Sequence, residues 1–316
     1  MSKMAAIRSA NAAFTARGVK NPVAVFVGGT SGIGMATMKA YTAATVSPTI
    51  YFIGRNAAAG SSLTASLQQL NPSAKITFLQ SDLTLLSNAH TVAATIRSRE
   101  SSVNLLVLSP GYMSMSGPML TAEGLEKKMV INYYARLLFA ATLLPSLHPG
   151  ARVISVYCPS HEGPIVASDM GLVDPANFSI FQTAAQASAF TTAAFEHLAE
   201  LHPEVAWIHA DPGAVMTGLL REFPLWARVA AKVATPFSTS HEDSGQGFLR
   251  LATGEGFEKG LKLVDWTGAD RDSRRQKTGF KWLGGGVGWW SEGLGKQVWS
   301  HTLEVYEKVL GKKVGN

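Results

Sequence analysis

The chain has 316 residues but only one cysteine, Cys158, so no disulfide can form within it. A chain without disulfides is typical of a reducing compartment, and we expect a cytoplasmic protein. Charged residues make up only 16% of the sequence against 46% hydrophobic residues, which excludes a disordered protein and predicts a large core. The sequence also lacks any run of about 18 apolar residues, the length that a transmembrane helix needs.

Basic residues exceed acidic ones by 28 to 22, and the net charge is +6. They are scattered, without the continuous stripe and interleaved aromatics that nucleic-acid binding requires, so we expect no nucleic-acid partner. The mild excess suits an anionic ligand instead. The first twenty residues lack the apolar core of a secretory signal. Their basic residues admit a mitochondrial presequence, but an N-terminal helix packed on the domain is favoured.

Short apolar runs alternate with longer helical segments, which is typical of βαβ units and a parallel sheet. The runs are largely continuous in apolar residues, as buried parallel strands are. Strands are predicted at 23–27, 49–53, 75–80, 103–108, 152–157 and 205–210, and helices at 32–44, 61–70, 85–99, 121–144, 183–201 and 296–310. We predict an α/β fold, a doubly wound parallel sheet (Rossmann fold) of six to seven strands with helices on both faces. One domain would span 1–316, with residues 218–316 as a C-terminal lid or tail.

The segment after the first predicted strand reads Gly-Gly-Thr-Ser-Gly-Ile-Gly and opens a helix. This is the context that a dinucleotide fingerprint needs. The glycines let the backbone turn tightly and approach a diphosphate, and the helix N-terminus offers free N–H groups to it. The predicted cofactor contacts here are Gly28, Thr30, Ser31, Gly32, Ile33 and Gly34.

Arg55 lies 21 residues after Gly34, at the end of the second predicted strand. An acidic residue at this place binds a free ribose 2′-hydroxyl, whereas an arginine accommodates a 2′-phosphate. Arg55, with Asn56 beside it, therefore predicts NADP(H) rather than NAD(H). The alternative is that Arg55 is a solvated turn residue.

Together these motifs resemble the short-chain dehydrogenase/reductase superfamily, over most of the chain. The glycine pattern matches at positions 28, 32, 33 and 34, and the segments at 131–136 and 161–165 resemble members from fungal secondary metabolism. The resemblance implies further cofactor contacts at Asp82 and Leu83 (adenine), at Ser109 and Gly111 (where Ser-Pro-Gly replaces the usual Asn-Asn-Ala-Gly), and at Pro212, Gly213, Val215 and Thr217 (the nicotinamide end).

The resemblance also implies a Ser, a Tyr and a Lys that reduce carbonyls. The tyrosine donates a proton, the lysine lowers the tyrosine pKa, and the serine steadies the carbonyl. In this chain Cys158 stands at the serine place and Phe178 at the tyrosine place, and neither Phe181 nor Gln182 is a lysine. No lysine occurs between positions 128 and 232 and no tyrosine between positions 157 and 306, so a shifted alignment does not restore the pair.

Phenylalanine cannot donate a proton, which costs roughly 10²- to 10⁴-fold in a reaction that needs one. Hydride addition to an iminium ion gives a neutral amine and needs no such acid. We therefore predict an NADP(H)-dependent enzyme of specialised metabolism that transfers a hydride to an activated electrophile, such as an iminium, in a bulky small molecule. The alternatives are a redox-silent cyclase or isomerase of the cycloaddition type, in the same pocket, and a non-catalytic dinucleotide-binding protein.

Three polar residues are the candidates for the reaction site, and no metal site is predicted. Asn132 lies where the resemblance implies a catalytic asparagine. Cys158 either faces the cofactor or is a small buried hydrophobe. Asp169 is either a pocket carboxylate or a solvated loop residue, and His161 and Glu162 are expected at the surface.

Four tryptophans, Trp226, Trp282, Trp289 and Trp290, either wall a substrate pocket or pack as ordinary core and lid residues, which is favoured. Residues 219–237 are amphipathic and are interpreted as a lid helix. The Ala-rich helix at 183–201 resembles the face used for family dimers. This helix therefore serves a homodimer or is an ordinary buried helix.

Overall fold

The computed structural model describes residues 2–215, 218–226, 228–229, 238–274 and 289–315. Within them, seven parallel strands form a sheet in the order β3-β2-β1-β4-β5-β6-β7. The strands are β1 (Val23–Val27), β2 (Thr49–Gly54), β3 (Lys75–Gln80), β4 (Val103–Leu108), β5 (Leu147–Val156), β6 (Ala206–Asp211) and β7 (Gly260–Asp265). The order reverses between β1 and β4, and ligands of open α/β sheets bind at such a point, outside the carboxyl ends of the strands.

Helices cover both faces of the sheet, as predicted. One face carries α1 (Lys3–Ala16), α2 (Gly32–Ala44), α3 (Ala57–Leu70) and α8 (His241–Thr253). The other carries α4 (Leu86–Arg99), α5 (Lys127–Met129), a π-helical segment (Val130–Tyr134), α6 (Ala135–Leu143), α7 (Ile180–Leu201) and α9 (Leu294–Leu310). Short 3₁₀ turns lie at Leu144–Ser146, Ala167–Asp169 and Gly218–Leu220. Because the central strands are apolar on both faces, each helix layer buries its own apolar cluster against the sheet.

The long helix predicted at 121–144 was wrong at its start. Residues 121–126 form a turn in which Thr121 N donates to Leu125 O at 2.8 Å and Gly124 has a φ of +76°. The helical stretch begins only at Lys127, because the carboxylate of Glu126 caps it by accepting a hydrogen bond from Met129 N at 2.9 Å.

Strand β7 and helix α8 were not located from the sequence. β7 is the last strand of the sheet, and only its final three residues are buried. It therefore lacks the continuous apolar run by which the inner strands were recognised.

The two terminal helices both pack on the sheet layers. Asn11 of α1 donates to Gln246 O of α8 at 2.9 Å, which confirms the predicted N-terminal helix. Helix α9 packs along α7 so closely that a Cβ on Gly295 would lie 2.7 Å from Ala193 O. Part of the α7 surface is thus covered by the chain itself, and a homodimer stays a prediction. Within the described residues, none of the helices combines the length and apolarity needed to cross a bilayer.

Candidate active site

The turn between β1 and α2 is packed tightly against the loop that follows β4. Gly28 has a φ of +83°, and a Cβ there would lie only 2.6 Å from Pro110 N. A Cβ on Gly34 would overlap Ser109 Oγ. Side chains at both positions are therefore excluded. Ser109 in turn donates to Val27 O at 2.9 Å, which ties the two loops together.

The N-terminus of α2 is open to an anion. Ser31, its N-cap residue, makes no side-chain capping hydrogen bond, and the first turn contains no acidic residue. Gly32 has a φ of +58°, and the side chain of Thr30 packs so closely on Gly54, at the end of β2, that a Cβ there would overlap it. The free N–H groups and the helix dipole thus present positive potential at the crevice, as a diphosphate requires.

The ends of β2 and β3 present one basic and one acidic side chain. Arg55 is exposed, and its guanidinium makes no hydrogen bond or ion pair with the described residues. Asn56 instead caps α3 with its side-chain oxygen. Asp82 is exposed, whereas the Leu83 side chain is buried in the core. Each predicted pair of cofactor contacts therefore contains one exposed residue, Arg55 or Asp82. The second residue of each pair, Asn56 or Leu83, has a structural role.

Asn132 fixes the loop after β4. Its Oδ1 accepts a hydrogen bond from Tyr112 N at 2.9 Å, and its Nδ2 donates to Tyr112 O at 2.9 Å. The residue lies in the π-helical segment, a feature frequent at functional sites. Both polar atoms of the side chain are used in this contact, so Asn132 acts here as a positioning residue for the loop.

Cys158 follows β5 and is a neutral thiol at pH 7. Burial, and to a lesser extent the carboxylates of Asp211 and Glu162, raise its pKa to about 12, against the lowering effect of the Arg136 guanidinium. A thiol this far from ionisation is neither a nucleophile nor a useful acid. Its carbonyl oxygen accepts a hydrogen bond from Ser188 Oγ at 2.6 Å.

A buried guanidinium that the sequence analysis missed lies beside Cys158. Arg136 is 1% exposed; its Nε donates to Pro110 O at 2.9 Å and its Nη1 to Val156 O at 2.8 Å. Its Cζ lies 5.0 Å from the centre of the Tyr157 ring. No carboxylate of the described residues comes within ion-pairing distance. Burial lowers the Arg136 pKa to about 10, so the group stays charged at neutral pH.

Glu162 is buried, and its prediction as a surface residue was wrong. Thr192 Oγ1 donates to its Oε1 and Ser273 Oγ to its Oε2, both at 2.7 Å. Burial raises the pKa of Glu162, against the lowering effect of these hydroxyls. Thr192 also contacts His209 Nδ1 at 2.9 Å, and burial, with the Arg136 charge, lowers the pKa of His209 to about 3. His161, the other predicted surface residue, is half-buried.

The segment that aligns with the family's Tyr-x-x-x-Lys holds an aromatic ring and two amides. Phe178 precedes α7, and Lys128 Nζ lies 4.7 Å from its ring centre. Gln182 and Gln186 lie on the first two turns of α7, with Nε2 and Oε1 3.2 Å apart. Residues four apart on a helix share a face. Gln182 and Gln186 therefore have the four-residue spacing of the family's Tyr and Lys, with both residues inside α7. Phe178 and Gln182 have the same spacing, but Phe178 lies before the start of α7. Neither pair contains a side chain that can donate a proton as an acid.

Asp169 organises the loop before α7. Its carboxylate accepts hydrogen bonds from Val173 N at 3.0 Å, Asp174 N at 2.9 Å and Asn177 Nδ2 at 3.2 Å. Partial burial raises its pKa, but these hydrogen bonds outweigh burial and hold the pKa below its usual range. Every bond is local to the loop, which favours the structural interpretation of this residue.

The segment after β6 begins with a turn and passes over the β4 loop. Gly213 has a φ of +66°, and its N–H donates to Asp211 Oδ1 at 2.8 Å. Pro212 is half-buried beside it, and Val215 pairs with Thr239. The predicted contact Thr217 and residues 230–237 of the predicted lid helix lie outside the described residues.

Two contacts close this segment onto the β4 loop. Leu219 lies against Gly111, where a Cβ would come within 3.3 Å of its Cδ1. Tyr112 donates from its hydroxyl to Glu222 Oε2 at 2.6 Å, and Lys127 Nζ lies 4.3 Å from the centre of the Tyr112 ring. Residues 218–226 therefore pack against the loop after β4 beside Gly111, and we call them the roof segment.

The tryptophans divide between surface and core. Trp226, the last residue of the roof segment, is 69% exposed. Trp289 is buried in the core, and Trp290 Nε1 donates to Glu196 at 2.8 Å. Trp282 lies outside the described residues. Among the three of these four tryptophans that the structure describes, Trp226 is the most exposed.

Comparisons with known proteins decide the family. The sequence model described as short chain dehydrogenase matches residues 22–227. The oxidoreductase AN1596 of Emericella nidulans is 34% identical over 257 residues, which cover 79% of this chain and 76% of that protein. This chain belongs to the short-chain dehydrogenase family. As a member of it, the chain uses NAD(H) or NADP(H), and the glycine turn described above fits that cofactor.

Solved structures of short-chain dehydrogenases share the fold. An NADPH-bound short-chain oxidoreductase of Pseudomonas aeruginosa PAO1, described as containing an atypical catalytic center, superposes with a TM-score of 0.59 at 19% identity, covering 77% of this chain and 94% of its own. The MalC reductase/Diels-Alderase of Malbranchea aurantiaca gives a TM-score of 0.60 at 18% identity, covering 80% and 96%. At these identities the likeness concerns the fold alone.

Several residues of this short-chain dehydrogenase escaped the sequence analysis. Arg136, Gln186 and Glu162 are buried polar groups, and no local pattern distinguishes them from exposed ones. Arg136 alone left a signal, as a basic residue within a helix that is otherwise apolar. Among the described residues, no cluster of His, Cys, Asp or Glu suits a metal ion.

Proposed function

We propose that this short-chain dehydrogenase is an NADP(H)-dependent reductase of specialised metabolism that transfers a hydride to an activated electrophile, such as an iminium, in a bulky small molecule. When bound, the reduced dinucleotide supplies the hydride. The chain's own residues hold the cofactor and exclude water, but donate no proton from the place where the family's tyrosine stands.

The observation that carries this proposal is the chemistry of the start of α7. In our alignment Phe178 stands at the family's tyrosine and Gln182 at its lysine, and Gln186 lies one turn further along α7. None of the three side chains ionises. The amide of Gln186 is fully buried and already donates to Met170 O at 2.9 Å. Cys158, at the serine place, is neutral. A reaction that needs no proton donor suits this set of groups.

Charge conservation favours an iminium over a ketone. Hydride transfer to a ketone creates an alkoxide, whose negative charge needs a proton or a donor in the transition state. Hydride transfer to an iminium moves one positive charge from the substrate to the nicotinamide ring and creates no new charge. The site therefore needs to align the two partners rather than supply an acid.

Arg55 supports NADP(H) as the cofactor. Its exposed guanidinium, free of other partners among the described residues, lies at the end of β2, where a 2′-phosphate is recognised. No acidic residue takes this place, so the 2′-hydroxyl of NAD(H) finds no acceptor there.

The roof segment supports a bulky, apolar substrate. Its exposed apolar side chains, together with those of the loop after β4, are Met115, Met119, Leu120, Leu219, Leu225 and Trp226. Tyr112, whose hydroxyl lies 3.8 Å from the Met119 sulfur, joins the two groups. Exposed apolar side chains of this number around one crevice are typical of a ligand-binding surface.

The experiment is a matched pair of reductions with NADPH. A cyclic iminium and the ketone of the same carbon skeleton are incubated with the protein, while loss of absorbance at the nicotinamide band and product formation are both followed. We expect turnover of the iminium and at most 1% of that rate with the ketone, from the missing acid. Equal rates contradict the proposal. Product formation without loss of NADPH favours the redox-silent cyclase, the activity that the name of the MalC reductase/Diels-Alderase gives to that protein.

A further inference from the structure

Arg136 is a buried cation of the reaction half of the crevice, and it differs from the buried Lys128, which lies 3.6 Å from Glu126, in having no carboxylate partner among the described residues. Its acceptors are two carbonyl oxygens, Pro110 O and Val156 O, and the hydroxyl of Ser155 at 3.2 Å. All three are neutral, so hydrogen bonding solvates the charge without cancelling it. A buried ion without a counter-ion is costly, and such groups concentrate at functional sites.

The sheet order places this cation under the nicotinamide half of a bound dinucleotide. Arg55 marks the β2 side of the glycine turn as the side of the 2′-phosphate and adenosine. The nicotinamide half therefore extends over β4 and β5. The guanidinium bonds to the carbonyls at these two strand ends, and its Nη2 lies 4.0 Å from where a Cβ on the exposed Gly111 would stand. Arg136 is thus directly below the loop that borders this half.

The two redox states of the cofactor differ in charge at this place. The reduced nicotinamide ring is neutral, whereas the oxidised ring carries a positive charge. A fixed positive charge in a poorly solvated interior repels the oxidised ring. Asp211, the carboxylate at the end of β6, acts in the opposite sense and outweighs Arg136 in its effect on the Cys158 pKa. It is half-exposed and accepts the Gly213 N–H, whereas Arg136 is 1% exposed, so solvent screens the carboxylate more than the guanidinium.

We infer that Arg136 sets the redox preference of the cofactor site, so that NADPH binds about tenfold more tightly than NADP⁺. The inference rests on the proposed dinucleotide binding. It keeps the free enzyme loaded with the reduced cofactor: the oxidised cofactor dissociates readily after hydride transfer, and the reduced one replaces it. The missing family lysine is replaced here by a charge that acts on the cofactor and touches no substrate.

The test needs no substrate. The dissociation constants of NADPH and NADP⁺ are measured by titration for the wild type, Arg136→Lys and Arg136→Met, each checked for folding by its melting temperature. The matched control is Arg152→Met, which removes a second buried arginine, 9% exposed, whose Nη1 donates to Leu251 O at 2.9 Å on the opposite helix layer.

We expect a ratio of the NADP⁺ to the NADPH dissociation constant near ten in the wild type, in Arg136→Lys and in Arg152→Met, and near one in Arg136→Met. A purely structural role would weaken both cofactors alike and leave the ratio at ten, which would overturn the inference. A wild-type ratio near one overturns it even if Arg136→Met fails to fold. If the wild type binds neither dinucleotide, the proposed function itself is contradicted. This outcome distinguishes failure of the proposed function from failure of the inference on Arg136.

Discussion

The two halves of the crevice, on either side of the glycine turn, are built on opposite principles. The half formed by β1, β2 and β3 keeps its family's residues, and its contacts are made by backbone and by exposed side chains such as Arg55. The half formed by β4, β5 and β6 is filled with buried polar groups, among them Arg136 and Glu162, and in our proposal it lacks the family's acid. We therefore propose that cofactor binding follows the family where the geometry is simple, and that the chemistry departs from it where side chains bond to one another.

The largest effect is expected in the conserved half, from Gly28→Ala. The new Cβ meets Pro110 N at 2.6 Å and the residue keeps a φ of +83°, so the turn must shift away from the diphosphate. If binding has to force the turn back into place, strain of about 1–3 kcal/mol corresponds to a loss of about 5- to 150-fold in NADPH affinity. Titration measures it. Gly150→Ala is the control, because Gly150 has a φ of +89° with no atom within 4 Å of its Cβ position; unchanged NADPH affinity in Gly28→Ala would contradict the diphosphate assignment.

In the divergent half, Asn132→Ala should cost stability. It leaves the buried N–H and C=O of Tyr112 without their partners, and we expect the free energy of unfolding to fall by about 2 kcal/mol. Urea denaturation followed by circular dichroism measures this. If Asn132→Ala is as stable as the wild type, the side chain does not hold the loop, and a role through water becomes the better account.

Arg55→Ala tests the conserved half with a smaller effect. Loss of a charge-assisted contact to the 2′-phosphate should weaken NADPH binding about tenfold and leave NADH binding unchanged. The control Arg97→Ala removes an equal charge from the exposed surface of α4 and should change neither affinity. Equal losses for NADPH and NADH would mean that Arg55 does not read the phosphate, and the NADP(H) preference would fall.

What the sequence could predict follows the same division. Strands β1 to β6 and the glycine turn were found because their signals are local: continuous apolar runs and glycines at fixed spacing. The start of the helix at Lys127 was missed because the cap by Glu126 and the turn at Gly124 compete with an apolar pattern that continues through them. The start of this helix is therefore set by the cap and the turn rather than by the apolar pattern.

The buried polar groups could not be predicted, because their partners are distant in the chain. Glu162 stands in a polar segment after β5, where an exposed residue is the ordinary expectation. Its partner Ser273 comes 111 residues later, from a part of the chain without a readable pattern. The residues near Glu162 in sequence do not predict that contact. The role of Arg55, in contrast, was predicted from its distance to Gly34 along the chain.

Glu162→Gln probes the divergent half with the smallest effect, and its sign depends on pH. Burial raises the folded-state pKa of Glu162, so the folded protein favours the protonated form. The protonated Glu162 side chain therefore stabilises the wild type fully when the pH is below the pKa of this residue in the unfolded chain. This stabilisation is lost as the pH rises through the higher pKa of the folded protein. Glutamine cannot ionise yet still bonds to Thr192 and Ser273. The melting temperature of Glu162→Gln relative to the wild type should therefore rise, by a few degrees at most, between pH 4.5 and pH 8. Glu255→Gln, at an exposed carboxylate with no hydrogen bond or ion pair among the described residues, should show a constant difference over this interval. If the Glu162→Gln difference is also constant, the carboxylate is as easily charged in its buried place as in water, and the contrast between the two halves of the crevice is not electrostatic in origin.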